Sequence, residues 1–117
     1  MILVAEADDL HRRATELDGA ARLLDLAGKH DAARERFGQA AELEERAADA
    51  IGIKQPRTRG ILRVGAVSLW MQAHRFERAA AVARRYLAEP LGAGFHRELA
   101  ALLARIDALS AAARRTV

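Results

Sequence analysis

The chain has 117 residues, no cysteine and a formal net charge of +3. The absence of cysteine excludes thiol nucleophiles, thiolate metal ligands and disulfides, and it favours a reducing compartment, for which we expect the cytoplasm. The sequence contains no stretch long and apolar enough for a signal peptide or a membrane span. Because alanine, leucine, arginine and glutamate are abundant and proline occurs only twice, the composition predicts a single all-α domain.

Charge is divided unequally along the chain. Residues 1–51 carry seven basic and twelve acidic side chains, a net charge of −5, whereas residues 52–117 carry twelve basic and four acidic ones, a net charge of +8. Such a distribution can orient a charged partner, or it can let copies of the chain associate head to tail. The plainer interpretation is a charged surface in contact with water.

Apolar residues spaced three and four apart predict five helices. The helices are expected at about residues 8–27, 31–51, 58–73, 76–88 and 95–113. Gly28 is a predicted left-handed stop, Asp31 and Thr58 are predicted N-caps, and Pro56 predicts a connection over residues 53–59, because proline disfavours helix at the residue before it. The acidic side chains of the second predicted helix are expected to face water; they are Glu35, Glu42, Glu44, Glu45 and Asp49.

The chain also contains an internal repeat. Shifting the sequence on itself by 46 residues aligns Leu24 with Trp70, His30 with Phe76, and Ala33 with Ala79. Each copy has a bulky residue late in one helix, then a turn with a basic residue, and then an alanine where two helices must approach closely. The alignment therefore predicts two helical hairpins.

These turns resemble the tetratricopeptide repeat. The segment Gly28-Lys29-His30-Asp31-Ala32-Ala33, followed by Phe37 and Ala40, matches the second half of that motif, and His74-Arg75-Phe76-Glu77-Arg78-Ala79 is its best match in the second copy. The resemblance covers residues 14–88, although the offset of 46 residues exceeds the usual period of about 34. From Arg59 onward the chain is also similar to small bacterial proteins of this repeat type. The positions that depart from the repeat pattern are Val67, Ala83 and Tyr86.

The resemblance implies a short right-handed α-solenoid of about five helices, in which antiparallel hairpins stack on one another. The hairpins would occupy about residues 8–51 and 58–88, and residues 95–113 would cap the stack, within one domain of residues 1–117. In this repeat the first helix of each hairpin lines a concave groove. The groove implied for a partner is formed by Thr15, Asp18, Arg22, Ile61, Val64, Ser68 and Met71. For its apolar members, packing against a neighbouring helix is an equally good interpretation.

The residues that usually carry chemistry do not form a recognisable constellation. The four histidines, His11, His30, His74 and His96, lack the spacing of a metal site. Ser68 has no histidine beside it in sequence and no nucleophile elbow around it. The sequence therefore predicts a protein that is not an enzyme, with no catalytic residue, no cofactor and no metal.

The function predicted from these features is a protein-interaction module, an adaptor or scaffold that binds a peptide or a helix in the concave groove. Arg22, Ser68 and Met71 are the residues expected to orient that partner. An alternative is a structural subunit that forms homo-oligomers through its acidic and basic halves. Nucleic-acid binding is the least favoured interpretation, and it would use Arg57, Arg59, Arg63, Arg84 and Arg85.

Overall fold

The computed structural model of the protein describes residues 5–115, so residues 1–4 and 116–117 of the predicted domain lie outside the described part. The described chain contains five α-helices and no strand. They are α1 (Ala5–Leu26), α2 (His30–Ala50), α3 (Pro56–Gln72), α4 (Phe76–Leu87) and α5 (Ala93–Arg115). Helices that follow one another in the chain pack together, and α3 also packs against α5. The prediction of an all-α fold is confirmed.

Four of the five helices, α1, α2, α3 and α5, begin earlier than the sequence predicted, and for α2 and α3 this changes the predicted cap. Helix α3 begins at Pro56, with Gln55 at its N-cap. Proline suits the first helical position, because its nitrogen has no proton to leave unpaired there and its φ is already helical. The predicted cap at Thr58 is therefore wrong, and the connection covers only residues 51–55. Helix α2 begins at His30 with Lys29 at its N-cap, so the predicted cap at Asp31 is also wrong. Asp31 lies in the first turn, where a carboxylate still stabilises the positive end of the helix dipole.

The turns between α1 and α2 and between α3 and α4 have the same backbone conformation, 46 residues apart. Gly28 has a φ of +79°, as expected for a left-handed stop, and His74 has a φ of +58° at the equivalent place. The next residues also agree, with φ and ψ of −91° and 66° at Lys29 and of −92° and 67° at Arg75. In each turn the N–H of that next residue donates to the carbonyl five residues earlier, at 2.9 Å and 3.1 Å. The repeat seen in the sequence is therefore present in the backbone of the two turns.

Helices α2 and α3 lie at the centre of the structure. Helix α2 packs on α1 and α3, and α3 packs on α2, α4 and α5. The buried core contains many alanines, whose small side chains allow close approach of neighbouring helices. Gly38 of α2 lies beside Trp70 of α3, and a Cβ there would be in ordinary contact with the Trp70 ring, at 3.8 Å.

The prediction that the acidic residues of α2 all face water is wrong for Glu44 and Glu45. Their exposed fractions are only 7% and 6%, because neighbouring helices cover this part of α2. Glu45 accepts a hydrogen bond of 2.6 Å from the Trp70 indole Nε1 and hydrogen bonds of 3.0 Å from the Arg78 guanidinium. The side chain of Glu45 therefore joins α2 to α3 and α4. The other acidic residues of the set are exposed; they are Glu35, Glu42 and Asp49.

A second ionic cluster joins α2, α3 and the connection between α4 and α5. Arg63 is 2% exposed and donates to both carboxylate oxygens of Glu89 at 3.0 Å and to Asp49 Oδ1 at 2.7 Å. Its guanidinium carbon lies 4.3 Å from the centre of the Tyr86 ring. Arg59, one turn earlier, also donates to both oxygens of Glu89, at 3.3 Å and 3.1 Å. These two arginines of the predicted nucleic-acid surface are thus bound to carboxylates of the protein itself.

Candidate functional site

Four of the seven predicted groove residues line one cavity of about 250 Å³ between α1 and α3. Thr15, Asp18 and Arg22 reach it from successive turns of α1, and Ser68 reaches it from α3. Helix α2 contributes Glu44 to the same cavity. We call this cavity the α1–α3 groove; its remaining lining residues are His11, Ala14, Gly65, Leu69 and Gln72.

The other three predicted groove residues do not line this cavity. Met71 is buried among the core residues, so it packs against neighbouring helices, as the alternative interpretation of the apolar members expected. Val64 is half-buried and packs against the core, whereas Ile61 is one of the exposed large apolar side chains. The groove therefore collects the polar members of the predicted set, and the apolar members lie outside it.

The most buried ionisable group of the groove is Glu44, which sequence reasoning missed. Its Oε1 lies 2.8 Å from Nδ1 of His11, a residue 33 positions away on α1. Burial raises the pKa of the Glu44 carboxyl above its usual range, and the charge of Asp18 adds to the rise, while the hydrogen bond and charge of His11 oppose it. Gly65 of α3 lies beside this carboxyl, and a Cβ on Gly65 would be in ordinary van der Waals contact with Glu44 Oε2, at 3.5 Å.

The rim of the groove carries an ion pair. The guanidinium Nε of Arg22 lies 3.2 Å from Oδ1 of Asp18, one helical turn away. This oxygen is buried, and it has no aligned hydrogen bond, so the contact is electrostatic without the directional component of a hydrogen bond. A ligand that donates to Asp18 Oδ1, after a small movement of Arg22, would supply the missing bond.

The hydroxyl groups of the groove are already bonded to neighbours on their own helices. Thr15 Oγ1 donates to the carbonyl of His11 at 3.0 Å, and Ser68 Oγ accepts a bond of 3.2 Å from Gln72 Nε2. Thr15 uses its proton in this bond, whereas Ser68 accepts and keeps its own proton available for donation to a bound group. These contacts suit recognition of a polar side chain or a peptide group.

A larger cavity of about 650 Å³ lies on the other side of α2, between α1 and α4. It is strongly charged, and ion pairs occupy its centre: Glu45 binds Arg78 at 3.0 Å and lies 3.5 Å from Arg85. A ligand entering here would have to replace these internal pairs. We favour the α1–α3 groove because it contains four of the seven residues that the sequence predicted for a binding groove, whereas the larger cavity contains none of them. The other residues that line the larger cavity are Arg13, Leu17, Gln39, Glu42, Leu43, Arg46 and Asp49.

Comparison of the chain with known protein families, with curated proteins and with solved structures finds no match. Within residues 5–115, no group of three or more histidine, aspartate or glutamate side chains is arranged to hold a metal ion. Over the same residues, every helix is too short or too polar to cross a bilayer. The features that bear on function are consequently the α1–α3 groove and the surfaces of the helices around it.

Proposed function

We propose that the protein is a non-catalytic interaction module, built as a short tetratricopeptide-like stack, that binds a peptide or a helix of a partner protein in the α1–α3 groove. The observation that carries this proposal is the meeting of Thr15, Asp18 and Arg22 with Ser68 in one cavity. These residues come from helices that are equivalent in the repeat, and the equivalent turns that follow them have the same backbone conformation. An inner surface made by equivalent first helices is the usual binding surface of stacked helical repeats.

The chemistry of the groove favours a polar anchor on the partner over a large apolar one. The floor contains the buried carboxyl of Glu44, and the rim carries the exposed guanidinium of Arg22 beside Asp18. A partner side chain that donates to Asp18 or accepts from Arg22 would make charge-assisted hydrogen bonds, which are stronger than neutral ones. The cavity of about 250 Å³ accommodates one side chain, with the rest of the partner lying across the exposed faces of α1 and α3.

The test is site-specific photo-crosslinking in the native cells. A photoreactive amino acid placed at Ser68 should cross-link to a discrete partner protein, whereas the same amino acid at Ile53, an exposed residue between α2 and α3, should not. Replacing Arg22 by glutamate inverts the charge at the rim and should remove the cross-link at Ser68. The cross-linked peptide would then identify the bound segment of the partner.

Two results would reject the proposal. One is an equal pattern of cross-links from Ser68 and Ile53, which would mean that contact at the groove is random. The other is a partner that still binds when Arg22→Glu is combined with Ser68→Trp, since this pair changes the charge of the rim and fills the cavity. Circular dichroism of the double variant must show that the helices are retained.

A further inference from the structure

The outer face of α1 carries an apolar surface that nothing covers in residues 5–115. Leu23 and Leu26 are 70% and 86% exposed, which is unusual for two large apolar side chains three residues apart on one helix. Gly19, one turn earlier on the same face, has open space where a Cβ would stand. We call Gly19, Leu23 and Leu26 the α1 outer face.

The internal repeat indicates what such a face packs against. The residues 46 positions later are Gly65, Leu69 and Gln72 of α3. Leu69 is only 7% exposed, and a Cβ on Gly65 would contact Glu44 of α2. In the second copy this face is thus a helix-packing surface. On the same face of α1, a glycine is likewise followed one turn later by a leucine. No helix of residues 5–115 packs against this face.

Helix α5 of the same protein has matching properties on its own outer face. Ala101, Ala104 and Ala108 are exposed there, and their small side chains would allow the leucines of another helix to approach closely. The charges also match, since α1 contains six acidic and three basic residues, whereas α5 contains four arginines and two acidic residues. A net charge of −3 on α1 and +2 on α5 favours pairing of the two helices over pairing of either helix with itself.

We infer that the α1 outer face binds α5 of a second copy of this chain, so that copies associate head to tail. Leu23 packs over Ala104 in this arrangement, and the net positive charge of α5 lies along the net negative charge of α1. Such a contact is heterologous, because the two copies contribute different surfaces. Each added copy leaves one α1 and one α5 free, so association continues into a ring or a filament. The α1 outer face adjoins the α1–α3 groove, since Leu26 lines a neighbouring cavity that also contains Arg22 and Gln72 of the groove.

Sedimentation of the full chain over a range of protein concentrations tests the inference. The wild-type protein should grow in mass with concentration, and the association should weaken several-fold as salt is raised, because part of it is electrostatic. Leu23→Glu and Ala104→Glu should each weaken association by about tenfold or more, since each places a charge in the packed surface. Ile53→Glu, which also exchanges an exposed apolar side chain for glutamate, should leave it unchanged.

Mixing the two variants distinguishes a head-to-tail contact from the alternatives. Leu23→Glu retains an intact α5 face and Ala104→Glu retains an intact α1 face, so an equimolar mixture should form a 1:1 dimer and nothing larger. A monomer at every concentration would overturn the inference. Dimers that persist in Ala104→Glu would also overturn it, because they would show α1 pairing with α1 or with another surface. Ser68→Trp should not affect association, which separates this result from the outcome for the groove.

Discussion

Gly28 and His74 hold equivalent places in the two turns of the repeat, and both have a positive φ, of +79° and +58°. For residues other than glycine this left-handed conformation costs about 1–2 kcal/mol, because the Cβ comes too close to the backbone. His74 adopts it nonetheless, with its ring stacked on that of Phe76 at a centroid distance of 5.2 Å. The first turn has the residue that suits the conformation, and the second has a residue that is strained by it.

Substitutions at the two turns should reveal this difference. We expect Gly28→Ala to lower the free energy of unfolding by about 1–2 kcal/mol, whereas Gly52→Ala, at a glycine without a positive φ, should not lower it. At the second turn, His74→Gly should be about 1 kcal/mol more stable than His74→Ala, since both lose the ring and only glycine relieves the strain. Urea unfolding measures each value. Equal stability of the two His74 variants would contradict the strain.

Glu89 should make the protein sensitive to acid. Burial alone would raise the pKa of its carboxyl, but hydrogen bonds from Arg59 and Arg63 outweigh burial and hold the pKa below its usual range. A carboxyl with a lowered pKa in the folded state stabilises the fold above its unfolded pKa, of about 4.3, and this contribution is lost as pH falls further.

We therefore expect Glu89→Gln to be less stable than the wild type by about 2–4 kcal/mol at pH 7, because it leaves the buried Arg63 with too few carboxylate partners. The deficit should shrink as the pH falls below the unfolded pKa of about 4.3, because the wild type then loses the stabilisation that its Glu89 charge provides. Urea unfolding at a series of pH values measures both effects, with Glu98→Gln, on the exposed surface of α5, as the control. A deficit that stays constant with pH would contradict the assignment.

Glu44 should have the opposite dependence on pH. Burial raises the pKa of its carboxyl, so its contribution to stability is present below the unfolded pKa and is lost as pH rises through the folded pKa. Glu44→Gln cannot ionise, and its stability relative to the wild type should therefore increase from pH 4 towards pH 7. Glu42→Gln changes an exposed glutamate of the same helix and should show no such increase. If the stability of Glu44→Gln relative to the wild type does not change with pH, burial does not raise the pKa of Glu44, and the assignment is contradicted.

Gly60 should be required for the contact between α3 and α5. A Cβ on this residue would overlap the ring of Phe95. We expect Gly60→Ala to cost about 1–3 kcal/mol through overpacking, although alanine in a helix interior normally gains about 0.8–1.0 kcal/mol over glycine. In a Phe95→Ala background the cost should disappear, and a double-mutant cycle of urea midpoints measures this coupling. As a control, Gly19→Ala should be stabilising, because a Cβ there would meet open space. Additive effects of Gly60→Ala and Phe95→Ala would contradict the contact between these two residues.

The helices themselves could be predicted well from the sequence, because apolar spacing records which face of a helix is buried. Ala33, Phe37 and Ala40 were expected to belong to a packed helix of the repeat motif, and all three are buried. The positive φ at Gly28 could be predicted too, since few residues other than glycine accept it. The solenoid arrangement and the concave binding surface stay predictions.

The ionic clusters could not be predicted. Glu44 and Glu45 look like solvent-facing residues in a one-dimensional pattern, because such a pattern cannot show that α2 is covered by more than one neighbour. Their partners are distant in sequence: 33 residues separate His11 from Glu44, and 25 separate Glu45 from Trp70. Arg63 likewise belongs to a basic run, and only the fold reveals that Glu89 lies against it. The α1–α3 groove could not be fully predicted for the same reason, because it is lined by the carboxyl of Glu44, a residue that the repeat motif does not specify.

Trp70 is the only tryptophan of the chain, and it lies where α2, α3 and α4 meet. Its indole N–H is bonded to Glu45, and the guanidinium carbons of Arg75 and Arg78 each lie 5.5 Å from the ring. The tryptophan fluorescence of the protein therefore comes from a single known position, and its wavelength and quenching depend on whether these helices stay in contact. Trp70 therefore serves as an intrinsic fluorescent probe of the contact between the two copies of the repeat, and no attached label is needed.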